Sequence, residues 1–224
     1  GEVMYLSKIT LQPSAQTAVE LAKLNSNGAY ASHQLLWRLF TEEQKRNFIF
    51  RQEIGLNGMP LFYVLSQTQP VSTPLFQVSS KAFAPKLRAG QRLAFKLRAN
   101  PTICITENGK QKRHDVLMHT KRQYNGEQLG SKELEFLTFE AAQQWLMDEK
   151  RLSAWGVQLD TVPEVQAYIQ HRAQKGKKRT IQFSSVDFEG LLTVENPEKF
   201  LQQYAQGFGR AKSFGCGLML IRPV

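Results

Sequence analysis

Cysteine is scarce in this chain of 224 residues. There are two, Cys104 and Cys216, with no CxxC spacing. Two thiols so placed cannot build a zinc site by themselves, and they fit a reduced, cytoplasmic protein. Acidic side chains are missing altogether from Ile54 to Thr106, yet Lys81, Lys86, Arg88, Arg92, Lys96 and Arg98 all fall there. Histidine is limited to His33, His114, His119 and His171. No acidic pair stands at a spacing useful for acid–base work. No cluster has metal-ligand spacing, and neither G-x-S-x-G nor a P-loop occurs. The longest uncharged stretch, Ile54 to Ser80, is full of Gln, Ser, Thr, Asn and Pro, which is not the composition of a membrane span. No signal peptide is visible, and Gly1-Glu2-Val3 ahead of Met4 reads as a vector remnant.

What is present is positive charge. Lys and Arg number 29 against 19 Asp and Glu, a formal net charge of +10. That balance implies a polyanionic partner. The placement sharpens it, because the acid-free interval is followed by a second basic run, with Arg172, Lys175, Lys177, Lys178 and Arg179 and no acid between them.

The pattern along the chain predicts an α+β fold. Tyr5 to Leu11 reads as a strand, and Pro13-Ser14 offers a helix start. Asn25-Ser26-Asn27-Gly28 breaks that helix. A second helix, from about Ala29 to Phe40, has Leu36, Leu39 and Phe40 as its core face. Tyr30, His33 and Trp37 share another face, being three and four apart. Phe48 to Phe50 and Leu61 to Leu65 predict a hairpin. A short helix near Ser79 to Phe83 follows. Arg92 to Ala99, with Leu93, Phe95 and Leu97 alternating against cations, is a half-buried strand. Those elements make one ferredoxin-like unit over residues 1–100.

Residues 101–224 read as a second, decorated unit. It has a turn at Glu107 to Lys110, a linker from Lys121 to Lys132, and a helix beginning at a Thr138 cap. Strands follow near Val157 to Val162, Val165 to Gln170, Thr180 to Val186 and Phe188 to Val194. The last helix, Pro197 to Gln206, has Asn196 as its cap and proline at its first position. A glycine-rich loop then leads into a final strand.

That loop runs Gly207-Phe208-Gly209-Arg210-Ala211-Lys212-Ser213-Phe214-Gly215-Cys216-Gly217-Leu218. Glycines let backbone approach a ligand, and exposed N–H groups beside Arg210 and Lys212 would seat an anion. A dinucleotide fingerprint fails because Lys212 stands where its third glycine belongs. A Walker loop fails because Cys216 follows Gly215. The loop resembles the C-terminal glycine-rich loop of the RAMP superfamily of CRISPR-associated RNA-binding proteins. Met4-Tyr5-Leu6-Ser7-Lys8, Tyr30 to Phe40 (YASHQLLWRLF) and Phe95-Lys96-Leu97-Arg98-Ala99-Asn100-Pro101 resemble the CasE family. CasE proteins are precursor-crRNA endoribonucleases of the type I-E Cascade complex.

The resemblance implies two tandem ferredoxin-like (RAMP/RRM-like) domains and RNA cleavage without metal or cofactor. In the family a Tyr and a His on the first long helix carry that cleavage, and Tyr30-x-x-His33 matches them. This chain has an extra helical stretch before the pair, between Pro13 and Gly28. The implied partners are the CRISPR repeat stem-loop, the mature crRNA and other Cascade subunits, with no membrane. The family's basic hairpin matches Lys175, Lys177, Lys178 and Arg179. A second basic patch comprises Lys86, Arg88, Arg92, Lys96 and Arg98. Gly207, Gly209, Arg210, Lys212, Gly215 and Gly217 would complete the phosphate-holding set.

RNA carries its own nucleophile, the 2′-hydroxyl, so few protein groups suffice. An imidazole, with an ordinary pKa of about 6.5, can give or take a proton near neutrality. The competing function class is a non-catalytic RNA-hairpin-binding subunit, which has no need of Tyr30-x-x-His33.

Overall fold

A computed structural model describes residues 3–40, 48–175 and 179–224. By its contacts the chain groups into two compact units. One comprises Gly1–Lys86, Arg172–Ile181 and Ala211–Leu218; the other comprises Leu87–His171, Gln182–Arg210 and Met219–Val224.

The first unit is built on an antiparallel sheet of β1 (Met4–Leu11), β2 (Phe48–Ile54), β3 (Pro60–Ser66) and β4 (Phe76–Phe83), in the order β2-β3-β1-β4. β1 and β3 pair with Ile9 opposite Phe62 and Ser7 opposite Val64. This is the ferredoxin-like strand order, with α1 (Ala15–Leu36) as the first crossover. The second crossover, residues 67–75, contains no helix. Phe76 to Phe83 is a strand throughout, so the short helix expected near Ser79 is absent. Among the described residues β4 is an edge strand that pairs only with β1, which allows polar residues such as Lys81 along it. One of its serines is used across the ladder, where Ser80 Oγ lies 2.7 Å from Ser7 Oγ.

Ser14 caps α1, its hydroxyl accepting from the Thr17 N–H at 3.1 Å. The helix kinks at Gly28, where φ is 56° and ψ −134°, a region open essentially to glycine alone. It ends in a 3-10 turn at Trp37–Leu39. Leu36, Leu39 and Phe40 enter the core with Ile9, Phe50, Phe62 and Val64. A buried side chain of this size contributes about 1.5–3 kcal/mol.

The second unit has β5 (Arg92–Ala99), β8 (Val157–Leu159), β10 (Arg179–Val194) and β11 (Met219–Pro223) in the order β11-β5-β10-β8, with β9 (Glu164–Lys175) also paired to β10. Counted from β5, this is the same strand order as in the first unit. The protein therefore has an α+β fold of two tandem ferredoxin-like domains. β5 opens the second sheet and does not close the first, so the strand that sequence reasoning gave to the first unit belongs to the second.

A small hairpin, β6 (Thr102–Glu107) with β7 (Lys110–Asp115), follows β5. Its turn residues Asn108 and Gly109 have φ of 51° and 75°. Asp115 then caps α2 (Val116–Gln123), so the stretch expected to be a linker is partly helical. α3 (Ser131–Leu146) starts after Gly130, seven residues before Thr138. Thr138 is therefore not a cap: it is interior and fully buried, and its hydroxyl donates to the Leu134 carbonyl at 2.7 Å. α4 (Glu149–Trp155) and α5 (Pro197–Gln206) complete the helices, and the Asn196 cap and first-position proline of α5 are as expected. Thr180 to Val194 forms one continuous strand rather than two.

Candidate functional site

Tyr30 and His33 sit on the leg of α1 that follows the Gly28 kink, and both are half-buried. Three residues of spacing place them on one helical face. The His33 imidazole lies 5.2 Å from the Phe48 ring at 24° and 6.2 Å from Phe50, both stacked. Trp37, one turn on, lies 5.4 Å away and tilted. The leg is tied to the sheet as well, since the buried Ser32 hydroxyl donates to the Gln52 side-chain carbonyl on β2. Phe48, Phe50 and Gln52 alternate along β2, so one strand face supplies both the stack and the tie.

The loop segment 211–218 packs in the same unit. Phe214 lies 5.8 Å from the Tyr30 ring. Gly215 faces Phe50, and a Cβ there would come within 3.2 Å of Phe50 Cε2. The structure thus brings the glycine-rich loop to the Tyr30–His33 helix.

The loop's amides are not the exposed row that the glycine content suggests. Phe214 and Cys216 N–H groups donate to the Ala211 carbonyl, and Gly215 N–H donates to that of Lys212. Gly207, Gly215 and Gly217 are buried and Gly209 half-buried, while Arg210 and Lys212 are exposed. Positive φ at Gly207, Gly209, Gly215 and Gly217, with a close approach at Gly215, explains the glycines better than open amides do.

The basic residues divide into two groups. On β5, Arg92, Lys96 and Arg98 each meet an acid. Arg98 grips Asp187 with two bonds of 2.7 and 3.1 Å, Lys96 lies 3.4 Å from Glu189, and Arg92 lies 2.8 Å from Asp160. Asp187 and Glu189 are the direct cross-strand partners of Arg98 and Lys96 on β10. The Thr193 hydroxyl, and then Arg92, hold the Asp160 carboxyl below its ordinary range. This patch is therefore largely neutralised within its own sheet. Lys86, Arg88 and Arg179, by contrast, are exposed, as Arg210 and Lys212 are. Lys175 ends β9, and Lys177 and Lys178 lie outside the described residues.

Sequence reasoning missed the acids of β10 and the Phe48–Phe50 backing of His33. The acids had a signal: Asp187 and Glu189 alternate on β10 just as Lys96 and Arg98 do on β5. At the base of the β9–β10 hairpin, His171 Nε2 is hydrogen-bonded to Ser185 Oγ at 2.7 Å and stacks on Phe183 at 4.6 Å. Burial, reinforced by Arg98 and opposed by Asp187, pushes its pKa below the ordinary 6.5.

Among the described residues, no group of three or more His, Cys, Asp or Glu is placed to hold a metal ion, and no helix is long and apolar enough to cross a membrane. What the site offers is an imidazole and a phenol on one helix face, held by aromatic rings, on a strongly basic protein.

Two tandem ferredoxin-like units are the architecture that the RAMP resemblance implies, and comparison with known proteins narrows the class. The model of a family described as "CRISPR associated protein" matches residues 4–223. The CRISPR system Cascade subunit CasE of Escherichia coli is 31% identical, over 99% of this chain and 100% of that one. The CRISPR-associated endoribonuclease Cse3 of Thermus thermophilus is 28% identical, over 98% of this chain and 100% of its own. Among solved structures, Cse3 bound to a 19-nucleotide RNA matches with a TM-score of 0.71 at 27% identity, covering 99% of this chain and 100% of that one. Thermus thermophilus Cse3 with an RNA representing a pre-cleavage complex matches at 0.70 and 26%, covering 98% and 99%. The chain belongs to the CasE/Cse3 family of CRISPR-associated proteins.

Proposed function

We propose that this protein is an endoribonuclease that recognises the repeat stem-loop of CRISPR precursor RNA and cuts it to mature crRNA. It then keeps the product as a subunit of a Cascade complex in the cytoplasm. The observation that carries the reading is the Tyr30–His33 pair on one face of α1, with the imidazole set among Phe48, Phe50 and Trp37. A relative named as an endoribonuclease and relatives solved with RNA support it.

The chemistry is proton transfer around an in-line displacement. The 2′-oxygen attacks the adjacent phosphorus, the bond to the 5′-oxygen breaks, and the products are a 2′,3′-cyclic phosphate and a 5′-hydroxyl. His33 takes the proton from the 2′-hydroxyl or gives one to the leaving 5′-oxygen; such help contributes about 10²–10⁴ in rate. Tyr30 orients the sugar–phosphate or donates the second proton, and alignment supplies much of the remainder. Arg179, Arg210 and Lys212, with the cations from 175 to 178, hold the stem's phosphates. Most of those contacts survive the cut, so the upstream product is released slowly and turnover is close to single.

The test is cleavage of a cognate repeat RNA in EDTA. The parent protein should cut, and His33→Ala should bind within a few fold but not cut. A requirement for Mg²⁺, or full activity in the variant, overturns the mechanism. Cleaved RNA accumulating to many equivalents per protein at the initial rate overturns product retention.

A further inference from the structure

The stretch between Pro13 and Gly28 forms the first leg of α1, and it carries a buried charge. Glu20 is only 6% exposed. A carboxylate taken out of water is tolerated when a cation meets it. Here the cation comes from beyond the kink: Arg38 Nη1 lies 2.8 Å from Glu20 Oε1 across 18 residues of sequence. Lys23, on Glu20's own leg, is further away at 3.7 Å. The two legs flank a partly open pocket of about 280 Å³ whose lining includes Leu24, Ala31, Gln34, Leu35 and the Glu20–Arg38 pair itself. Leu24 on the first leg and Leu35 on the second are both buried in the core of the unit, so apolar packing seats the two legs and the ion pair acts on top of it. The ion pair is a direct polar link from the first leg to the far end of the second.

We infer that Glu20 is a positioning residue for the Tyr30–His33 helix, acting through Arg38. Arg38 follows α1 in the 3-10 turn, five residues after His33. Its tether fixes the end of that leg, while Ser32 with Gln52 and the Phe48–Phe50 stack fix its middle. The first leg of α1 is thereby a brace for the second, which carries the proton-transfer groups. This inference rests on the function proposed above for its rate readout, and has a second readout that does not.

The experiment compares the parent protein with Glu20→Gln, Arg38→Gln and the reversed pair Glu20→Arg/Arg38→Glu, using a cognate repeat hairpin. Single-turnover cleavage at saturating protein and RNA affinity are measured for each. A small displacement of a reacting group costs up to about a hundredfold, so each single variant should cut about tenfold more slowly, with Kd unchanged within about twofold. The reversed pair should recover most of the rate. Unchanged rates in both single variants overturn the inference. So does Arg38→Gln losing affinity while cutting normally at saturation, since Arg38 would then be an RNA contact. If the parent cuts no RNA, the proposed function falls and the brace is read by amide hydrogen exchange. Faster exchange over residues 29–36 in Glu20→Gln supports it, and an unchanged profile removes it.

Discussion

Gly215 lies against the edge of the Phe50 ring, where an added Cβ would meet Cε2 at 3.2 Å and the ring would have to give by a few tenths of an ångström. Phe50 in turn stacks on His33, so an atom added at position 215 is felt by the imidazole through one intervening ring. Gly215 also has φ of 85°, where a Cβ is strained. Gly215→Ala should cost about 1–2 kcal/mol in unfolding free energy from backbone strain alone. It should also slow cleavage at little change in RNA affinity. Denaturant unfolding with single-turnover kinetics tests this; wild-type kinetics in a destabilised variant would disconnect Gly215 from the site.

Exposed and paired cations should behave differently. Neutralising Arg210 and Lys212 together should lower the slope of log affinity against log salt by somewhat under one unit, about 0.9, per lost phosphate contact. The triple change at Lys177, Lys178 and Arg179 should do the same on the same scale. Arg98→Gln should leave that slope nearly unchanged. It strands the half-buried Asp187, and breaking such a charge-assisted bond costs about 1.5–3 kcal/mol of stability. A salt slope that falls with Arg98→Gln would show that the β5 cations leave Asp187 and Glu189 to meet RNA.

Tyr204 is 1% exposed, and its hydroxyl donates to the Met219 carbonyl on β11. Burial pushes its pKa upward, so the neutral donor persists far into alkali. Tyr204→Phe keeps the ring and strands the carbonyl, costing about 1–3 kcal/mol. For a chain of this size each kcal/mol lowers Tm by roughly 2–4 °C. An unchanged melting curve would show that Met219 finds another donor.

His171 makes a statement about pH. Its pKa in the folded state lies below the ordinary 6.5, so the unfolded chain binds its proton first as pH falls. Stability is unaffected by this group well above 6.5. It declines as pH drops through that value, and the decline ends below the folded pKa. His171→Gln should remove this component of the acid-side slope in unfolding experiments between pH 7 and 5. A slope equally steep in the variant would assign it to other groups.

Much of this was legible where the signal is local. The Ser14 cap, the Asn196-Pro197 start of α5 and the break at Gly28 each involve groups within a few residues of one another, so sequence carries them. Tyr30-x-x-His33 is local too. The failures are of another kind. Arg92 to Ala99 announces a strand by alternation, but alternation says nothing about which sheet a strand joins. Phe76 to Phe83 hid its strand character because an edge position relaxes the demand for apolar residues. Thr138 looked like a cap because a threonine hydroxyl bonds backbone equally well one turn back inside a helix. The Phe48–Phe50 cradle of His33 and the cross-strand acids of β5 depend on pairing between distant segments, which no window of sequence shows.

Phe214 and Gly215 belong to the same compact unit as Tyr30 and Phe50, though most of the chain separates them. A ribosome releases Tyr30 early and its ring partner very late. During synthesis the helix bearing Tyr30 and His33 therefore waits, unfinished, while the second sheet is made. Contacts so far apart in sequence form slowly. A nascent chain stalled before residue 211 would carry both Tyr30 and His33 and still lack the wall beside them. The order of synthesis alone thus leaves the proposed RNA-cutting surface incomplete until residues 211–218 have emerged.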